Sequence, residues 1–341
     1  MKENNIFNSD CIKGSKKHIE EKSIDLMICD PPFGINENTF GKHYNRDESN
    51  VIEGYIEAPK NYVEWTEQWL QEAYRILKDN GSIYVISGWT NAHKIALAAE
   101  NVGFNIVNKI IWKFNFGVAT KQKYVSSHYE IFYMTKNKNA DVTFNRCCRF
   151  TPDDKNDNNG SLLYQDLEDV WTINKENCPG KKKNKNKLPE DLIRKIIQYS
   201  SNENDIICDF FLGNFTTAIV AKKMGRIPCG FEMNKNAFRL NIKNLQNVSF
   251  GEDLDKYSNK SYCAPKNQGK KIIDKTKEVI ITIFIQLIKD GNTKKDVIKK
   301  LSKRFKRGIF SITNIVKEID INLVKKQKKN EEDIDLFSRT D

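Results

Sequence analysis

Two periodicities alternate along the first 250 residues, and this alternation constrains the fold more than any other feature. Short, predominantly apolar runs recur: IDLMIC at 24–29, SIYVIS at 82–87, DIICDFF at 205–211 and IPCGFEM at 227–233. FNIVNKIIWKF and HYEIFYMTK read as two more strands. Between them lie segments with apolar residues at helical spacing. YVEWTEQWLQEAYRIL at 62–77 is one, with KDNG expected to stop it. NAHKIALAAENVG at 91–103 ends at Gly103, and TTAIVAKKMG ends at Gly225. LPEDLIRKIIQYSS at 188–201 places Pro189 at a helix start, where a missing N–H costs nothing. Strands that are apolar on both faces, separated by helices, imply a parallel sheet covered on both sides. The expected fold class is therefore α/β, a doubly wound and mostly parallel sheet, with a small helical C-terminal domain. The expected boundaries are a sheet domain over 1–250 with a polar insert at about 138–187, a linker at 251–270, a basic helical domain at 271–322 and a disordered tail at 323–341.

Two strand ends carry unusual chemistry. The run at 24–29 leads into Asp30-Pro31-Pro32-Phe33. Proline has no N–H to give to a ladder, so the pair would end a strand in any case. The run at 205–211 leads into DFFLGNFTT, where Gly213 permits a tight turn and close approach to a ligand. Thr216 and Thr217 can cap the helix that follows. Glu232 comes 19 residues after Gly213, at the tip of the next strand, where an acid can hold ribose hydroxyls. An ordinary strand–turn–helix followed by a surface acid would look the same.

Charge and cysteines narrow the setting. The chain of 341 residues carries a net charge of +11. Between Cys263 and Glu331 lie 19 basic and 6 acidic residues, so the rest is close to neutral. A second basic run, GKKKNKNK at 180–187, stands inside that neutral part. Two such runs suit a polyanionic partner, although charge runs also serve as solvated loops. The eight cysteines form no CxxC pair, which argues against a zinc cluster. No apolar run approaches the ~20 residues of a membrane span, and no signal-peptide pattern opens the chain. A cytoplasmic protein without a membrane partner is expected.

Taken together, DPPF and FLGNFTT…GFE resemble the amino-methyltransferases that modify exocyclic amines of DNA bases. The catalytic corner precedes the glycine loop, which is similar to the order of the family's beta class. The resemblance extends over most of 6–250. NSDCIKG at 8–14 resembles the strand-end motif that contacts the cofactor adenine, here Asp10 and Cys11. KLPEDLIRKIIQYSSNENDIICDFF resembles the element leading into the cofactor loop, with Lys187 and Pro189 near the methionine tail. The resemblance implies a Rossmann-like methyltransferase fold, S-adenosyl-L-methionine as cofactor and no metal. It also implies catalytic residues Asp30, Pro31, Pro32 and Phe33. Asp30 would serve the cofactor too, with Asp209, Phe211, Gly213, Asn214, Thr216, Thr217, Glu232 and Asn234. Phe210 and Phe215 depart from the family pattern DPF-x-G-x-G-T-T, where proline and glycine stand. Phe215 would either pack under the helix or crowd the cofactor.

The implied partner is double-stranded DNA, with a flipped adenine as target and a cognate restriction endonuclease as functional partner. A serine in place of Asp30 usually accompanies N4-cytosine in this family, so Asp30 favours N6-adenine. N4-cytosine methylation, or a DNA-binding regulator on a catalytically weakened fold, remain as alternatives. Candidate DNA contacts are His43 and Arg46 after the corner, Lys121 and Lys123, and Arg146, Arg149, Lys181, Lys182 and Lys183 in or beside the insert. Near the C-terminus, KEVIITIFIQLIKDG, NTKKDVIKKLSKRF and SITNIVKEI read as three helices, with Thr293 and Ser311 as caps. They resemble a helix-turn-helix that would add Arg304 and Arg307 to the interface. The same apolar spacing suits a dimerisation unit, which keeps a homodimer open.

Overall fold

The apolar runs become strands of a single sheet. The computed structural model describes residues 5–33, 59–115, 117, 121–122, 124–175, 187–257, 274–305, 307–321 and 324. In chain order the first unit contains β1 (Ile6–Phe7), α1 (Cys11–His18), β2 (Ile24–Cys29), α2 (Tyr62–Ile76), β3 (Leu77–Ser87), α3 (Ala92–Val102), β4 (Asn105–Lys113) and β5 (His128–Thr135). It continues with α4 (Leu162–Leu167), β6 (Val170–Thr172), α5 (Glu190–Ser200), β7 (Ile206–Asp209), α6 (Thr216–Lys223), β8 (Ile227–Phe231), α7 (Lys235–Gln246) and α8 (Leu254–Tyr257). The eight strands lie in the order β1-β8-β7-β2-β3-β5-β4-β6. All neighbouring pairs are parallel except those of β5, which runs antiparallel to β3 and β4.

Side-chain alternation along β2 separates two cores. Met27 and Cys29 point to a face covered by Trp69, Leu70 and Ala73 of α2 and Ile95 of α3. Leu26 and Ile28 point to the other face, where Ile193, Ile196 and Ile197 of α5 meet Val220 of α6. Each such side chain, fully buried, contributes ~1.5–3 kcal/mol. Asp166 fastens the polar insert to α5. It pairs with Arg149 at 3.0 Å and Lys195 at 3.1 Å, and accepts a hydrogen bond from the Tyr199 hydroxyl at 2.6 Å.

Local expectations shift at three places in this unit. KDNG does not end the 62–77 helix as a turn; Leu77 already starts β3. Leu77 is buried against Ile24, Lys78 pairs with Asp25 at 2.6 Å, and a side chain at Gly81 would press on the Asp25 carbonyl. Pro189 opens α5 as expected, but from the residue before its first turn. Thr216 and Thr217 do not cap α6: Phe215 occupies the cap position and both threonines are helical.

The chain divides into two compact units, Met1–Ser261 and Tyr262–Asp341. The second holds α9 (Asp274–Lys289), α10 (Lys294–Phe305) and α11 (Ile309–Ile315). Ile280, Phe284, Ile288, Val297, Leu301, Ile312 and Val316 form its core. Thr293 caps α10 as expected, accepting from the Asp296 N–H at 3.2 Å. Ser311 does not cap: α11 begins at Ile309 behind Gly308 and ends at Ile315. No helix among the described residues is long and apolar enough to cross a membrane.

Candidate active site

Strands β7 and β2 are neighbours, with β8 beyond one and β3 beyond the other. The chain thus winds away from this pair in opposite directions, and a crevice opens beyond their carboxyl ends. Both motifs stand there. Asp30 follows β2, and Asp209 is the last residue of β7.

The Asp30–Phe33 corner is held from outside. The Tyr62 hydroxyl donates to the Pro32 carbonyl at 3.1 Å, and Asn91 Nδ2 donates to the Phe33 carbonyl at 2.5 Å. The Phe33 ring meets Tyr129 edge-on at 5.1 Å and lies over Gly88, where a Cβ would come within 3.3 Å. Among the described residues, nothing donates to Asp30 Oδ1, although that atom is buried. Burial pushes the Asp30 carboxyl up to about 7, the nearby Asp209 adds to the rise, and Lys175 opposes it.

The loop after β7 is knit together. Asp209 accepts from the Phe211 N–H at 2.8 Å and from the Thr217 hydroxyl. Burial pushes it also to about 7, against those two bonds, and Glu232 adds a smaller rise. Glu232 accepts from the Gly213 N–H at 2.8 Å and from the Asn234 N–H at 2.6 Å, while burial raises its pKa. Gly213 itself is exposed with φ +48°, in the region that favours glycine. Gly230, on β8, lets two strands close up: a Cβ there would collide with the Asp209 carbonyl.

Phe215 settles its own question. It is fully buried with φ +61°, edge-on to Phe238 at 5.9 Å, in a cluster with Ile6, Leu212, Ala218 and Leu245. A left-handed conformation costs roughly 1–2 kcal/mol for a residue with a Cβ. Burying the ring contributes ~1.5–3 kcal/mol, so packing wins. Phe210 is buried against Phe231, and Phe211 packs between Trp65 and Trp69.

Other residues singled out in the sequence have local partners of their own. Asp10 follows β1 and accepts from the Lys13 N–H at 2.9 Å at the start of α1; Cys11 beside it is buried, which pushes its thiol up. Asn234 accepts from the N–H groups of Asn236 and Ala237 at the start of α7. Asn214 is half-buried in the loop between Gly213 and Phe215. Lys187 pairs with Glu190 at 3.3 Å beside the buried Pro189.

A family model described as DNA methylase matches residues 24–243, which include both strand-end motifs. The chain belongs to the DNA methylase family. It is 31% identical over 261 residues to the type II methyltransferase M.HinfI of Haemophilus influenzae, covering 72% of this chain and 69% of that one. It is 29% identical to M.HpaI of Haemophilus parainfluenzae (70% and 73% covered) and 27% identical to the DNA adenine methyltransferase YhdJ of Escherichia coli strain K12 (72% and 83% covered). Among solved structures, the putative DNA modification methylase TTHA0409 of Thermus thermophilus, complexed with S-adenosyl-L-methionine, superposes with TM-score 0.53 at 16% identity (71% and 93% covered). The cytosine-N4-specific PvuII DNA methyltransferase does so with the same score and identity (74% and 90%). These likenesses share the Rossmann-like methyltransferase fold.

In this methylase, the residues expected at DNA fall in both units and in segments outside the described residues. Lys121, Arg146 and Arg304 are exposed. Arg149 is half-buried, tied to Asp166 and to Gln198 Oε1 at 3.1 Å, so it braces the insert rather than standing free. Arg307 is 9% exposed within the second unit. His43, Arg46, Lys123, Lys181, Lys182 and Lys183 lie outside the described residues. Sequence reading missed Tyr62, Asn91, Tyr129 and Lys175. None sits in a motif; the sheet brings each to the corner from a different element.

Proposed function

We propose that this DNA methylase transfers the methyl group of S-adenosyl-L-methionine to the N6 amino group of a flipped adenine in duplex DNA. The observation that carries this reading is the buried Oδ1 of Asp30, at the end of β2, which no described residue satisfies. A buried acceptor without a donor costs roughly 1–3 kcal/mol, and a substrate amine supplies the missing donor.

The residues present fit the cofactor. Asp30, Asp209 and Glu232 are all raised, and each of the first two feels another carboxylate. A ligand with positive charge offsets that repulsion. Glu232 keeps further lone pairs for ribose hydroxyls while holding the Gly213 and Asn234 amides. When bound, S-adenosyl-L-methionine supplies an activated methyl group on a sulfonium.

The chain's residues do the rest. An amine conjugated to a base ring is a weak nucleophile because its lone pair is delocalised. Asp30 accepts one amine hydrogen and the Pro31 carbonyl accepts the other; proline leaves no N–H at this turn to compete. The two acceptors draw the amine toward tetrahedral geometry and free the lone pair for attack. Tyr62 and Asn91 fix the corner by taking the neighbouring carbonyls. Phe33 offers a face for the base, worth ~1–3 kcal/mol in stacking. The base must leave the duplex to reach this corner. Holding both reactants in line supplies ~7–11 kcal/mol of the barrier reduction.

Adenine is favoured over cytosine by Asp30 itself, since serine usually stands there in the N4-cytosine enzymes that the corner resembles. The relatives M.HinfI and M.HpaI are type II methyltransferases, which supports a role in protecting DNA from a partner restriction endonuclease. Express the protein in a methylation-free host, digest the DNA to nucleosides and identify the methylated base by mass spectrometry; then locate it by methylation-sensitive sequencing. N6-methyladenine at a defined site is expected. N4-methylcytosine would replace the base assignment, and unmodified DNA would overturn the reading.

A further inference from the structure

Lys175 stands at the corner with a charge that the mechanism above leaves unused. Its Nζ lies 4.2 Å from the centre of the Phe114 ring, 4.4 Å from that of Tyr129 and 5.7 Å from that of Trp112. Tyr129 is the ring that packs edge-on against Phe33. The cation is thus one ring away from the face offered to the base. It donates to the Tyr129 hydroxyl at a long 3.3 Å. An ammonium has three N–H donors, and aromatic faces attract its charge without accepting a directed hydrogen bond. Among the described residues, no other acceptor takes its remaining donors.

Asp30 is the reciprocal case, an acceptor short of a donor. The two charges feel one another. Burial lowers the Lys175 pKa and Asp30 opposes that; Lys175 in turn holds Asp30 down against burial and Asp209. One corner therefore carries a buried acceptor that no described residue satisfies and a half-buried ammonium with donors to spare. In adenine and in cytosine the exocyclic amine, a donor, sits beside a ring nitrogen that accepts. Guanine and thymine pair a carbonyl with a ring N–H, the opposite arrangement.

We propose that Lys175 reads the target base, donating to the ring nitrogen adjacent to the amine that Asp30 holds. This rests on the base-methylation reading above and goes beyond it, because it assigns the rejection of keto bases to a residue outside both motifs. The aromatic cage suits the task. Cation–π attraction holds the ammonium near the corner without fixing its direction, so it can turn to the base at little loss.

The test uses the full-length protein and its own target duplex. The target base is replaced by the analogue with C–H in place of the one ring nitrogen bonded to the amine-bearing carbon. Wild type is expected to lose ~10- to 100-fold in kcat/KM on this analogue, since a hydrogen bond to a charged donor is removed. Lys175→Met is expected to lose a similar factor on the natural base and nothing further on that analogue. Lys175→Arg keeps the charge and should retain the sensitivity; thermal melting of both variants controls for folding. Equal analogue losses in wild type and Lys175→Met, or no loss on the analogue in wild type, would overturn the proposal. Failure of wild type to methylate its natural duplex would instead remove the reading on which it rests.

Discussion

Asp30 and Asp209 end neighbouring parallel strands, and burial drives both carboxyls to about 7, yet their surroundings differ. Asp209 is used up by the protein. It binds the Phe211 N–H and the Thr217 hydroxyl, and so shapes the loop that carries Gly213. Asp30 has a buried oxygen that nothing in the described chain satisfies, while its neighbours Pro32 and Phe33 are pinned by Tyr62 and Asn91. One carboxylate builds a cradle. The other has an oxygen that no described residue satisfies, which under the proposed function awaits the substrate amine. Their pKa values are alike, so hydrogen-bond satisfaction is what separates the acid that shapes the loop from the one proposed to act on substrate.

Substitutions at the two acids should separate those roles. Asp30→Ala should lower methyl transfer by at least ~10²–10³-fold, the scale for removing one preorganised transition-state partner. Cofactor affinity, measured by calorimetry, should fall far less than transfer, since Asp209 and Glu232 remain. The free variant should also be more stable than wild type at pH 8. The sign follows from linkage: a carboxyl raised in the folded state binds protons that the unfolded chain has released, so stability falls as pH rises from about 4 through about 7. Melting curves at pH 5 and pH 8 check this, and equal destabilisation by the variant at both would make Asp30 structural.

Asp209→Ala should behave in the opposite way. It leaves the Phe211 amide and Thr217 without their acceptor and should cost ~2–3 kcal/mol in denaturant unfolding. Transfer should fall through weaker cofactor binding and recover as cofactor is raised. A loss that saturating cofactor does not restore would give both acids the same role.

Phe215→Gly sharpens the picture of the cradle. It relieves ~1–2 kcal/mol of left-handed strain but deletes a buried ring, a change of ~3–5 kcal/mol for phenylalanine truncation. A net loss of ~2 kcal/mol is expected, with cofactor affinity within a few-fold. A more stable variant that also binds cofactor more tightly would mean that Phe215 crowds the site. The smallest effect concerns the second unit: truncation after Ser261 should flatten the salt dependence of DNA binding by ~0.9 for each phosphate that the shortened chain no longer neutralises. An unchanged slope would take α9–α11 out of the interface.

The alternation of apolar runs and helical segments made the doubly wound sheet legible, because burial on both faces leaves a local trace in each strand. Both strand-end motifs were legible for the same reason: proline, glycine and acids punctuate the ends of those runs. KDNG was misread because turn-forming residues there extend a strand, held by Leu77 and the Lys78–Asp25 pair. Phe215 looked like a defect in a glycine motif, and only the cluster around Phe238 explains it. Tyr62, Asn91, Tyr129 and Lys175 left no trace, since their roles depend on which strands the sheet makes neighbours. Arg149 looked like a free cation because Asp166, which holds it, carries no signal of its own.

In the proposed reaction, ionised Asp30 accepts a hydrogen of the target amine. The pH profile of single-turnover methyl transfer, with cofactor saturating so that Asp209 no longer reports, tests it most directly for wild type and Asp30→Asn. Asparagine offers a carbonyl acceptor that does not titrate. Wild type should lose rate as pH falls through a single ionisation at or below about 7, because protonation turns a charged acceptor into a weaker neutral one. Asp30→Asn should transfer methyl at a lower maximal rate with a flat profile over the same range. A flat profile in wild type, or the same fall in the variant, would contradict the account.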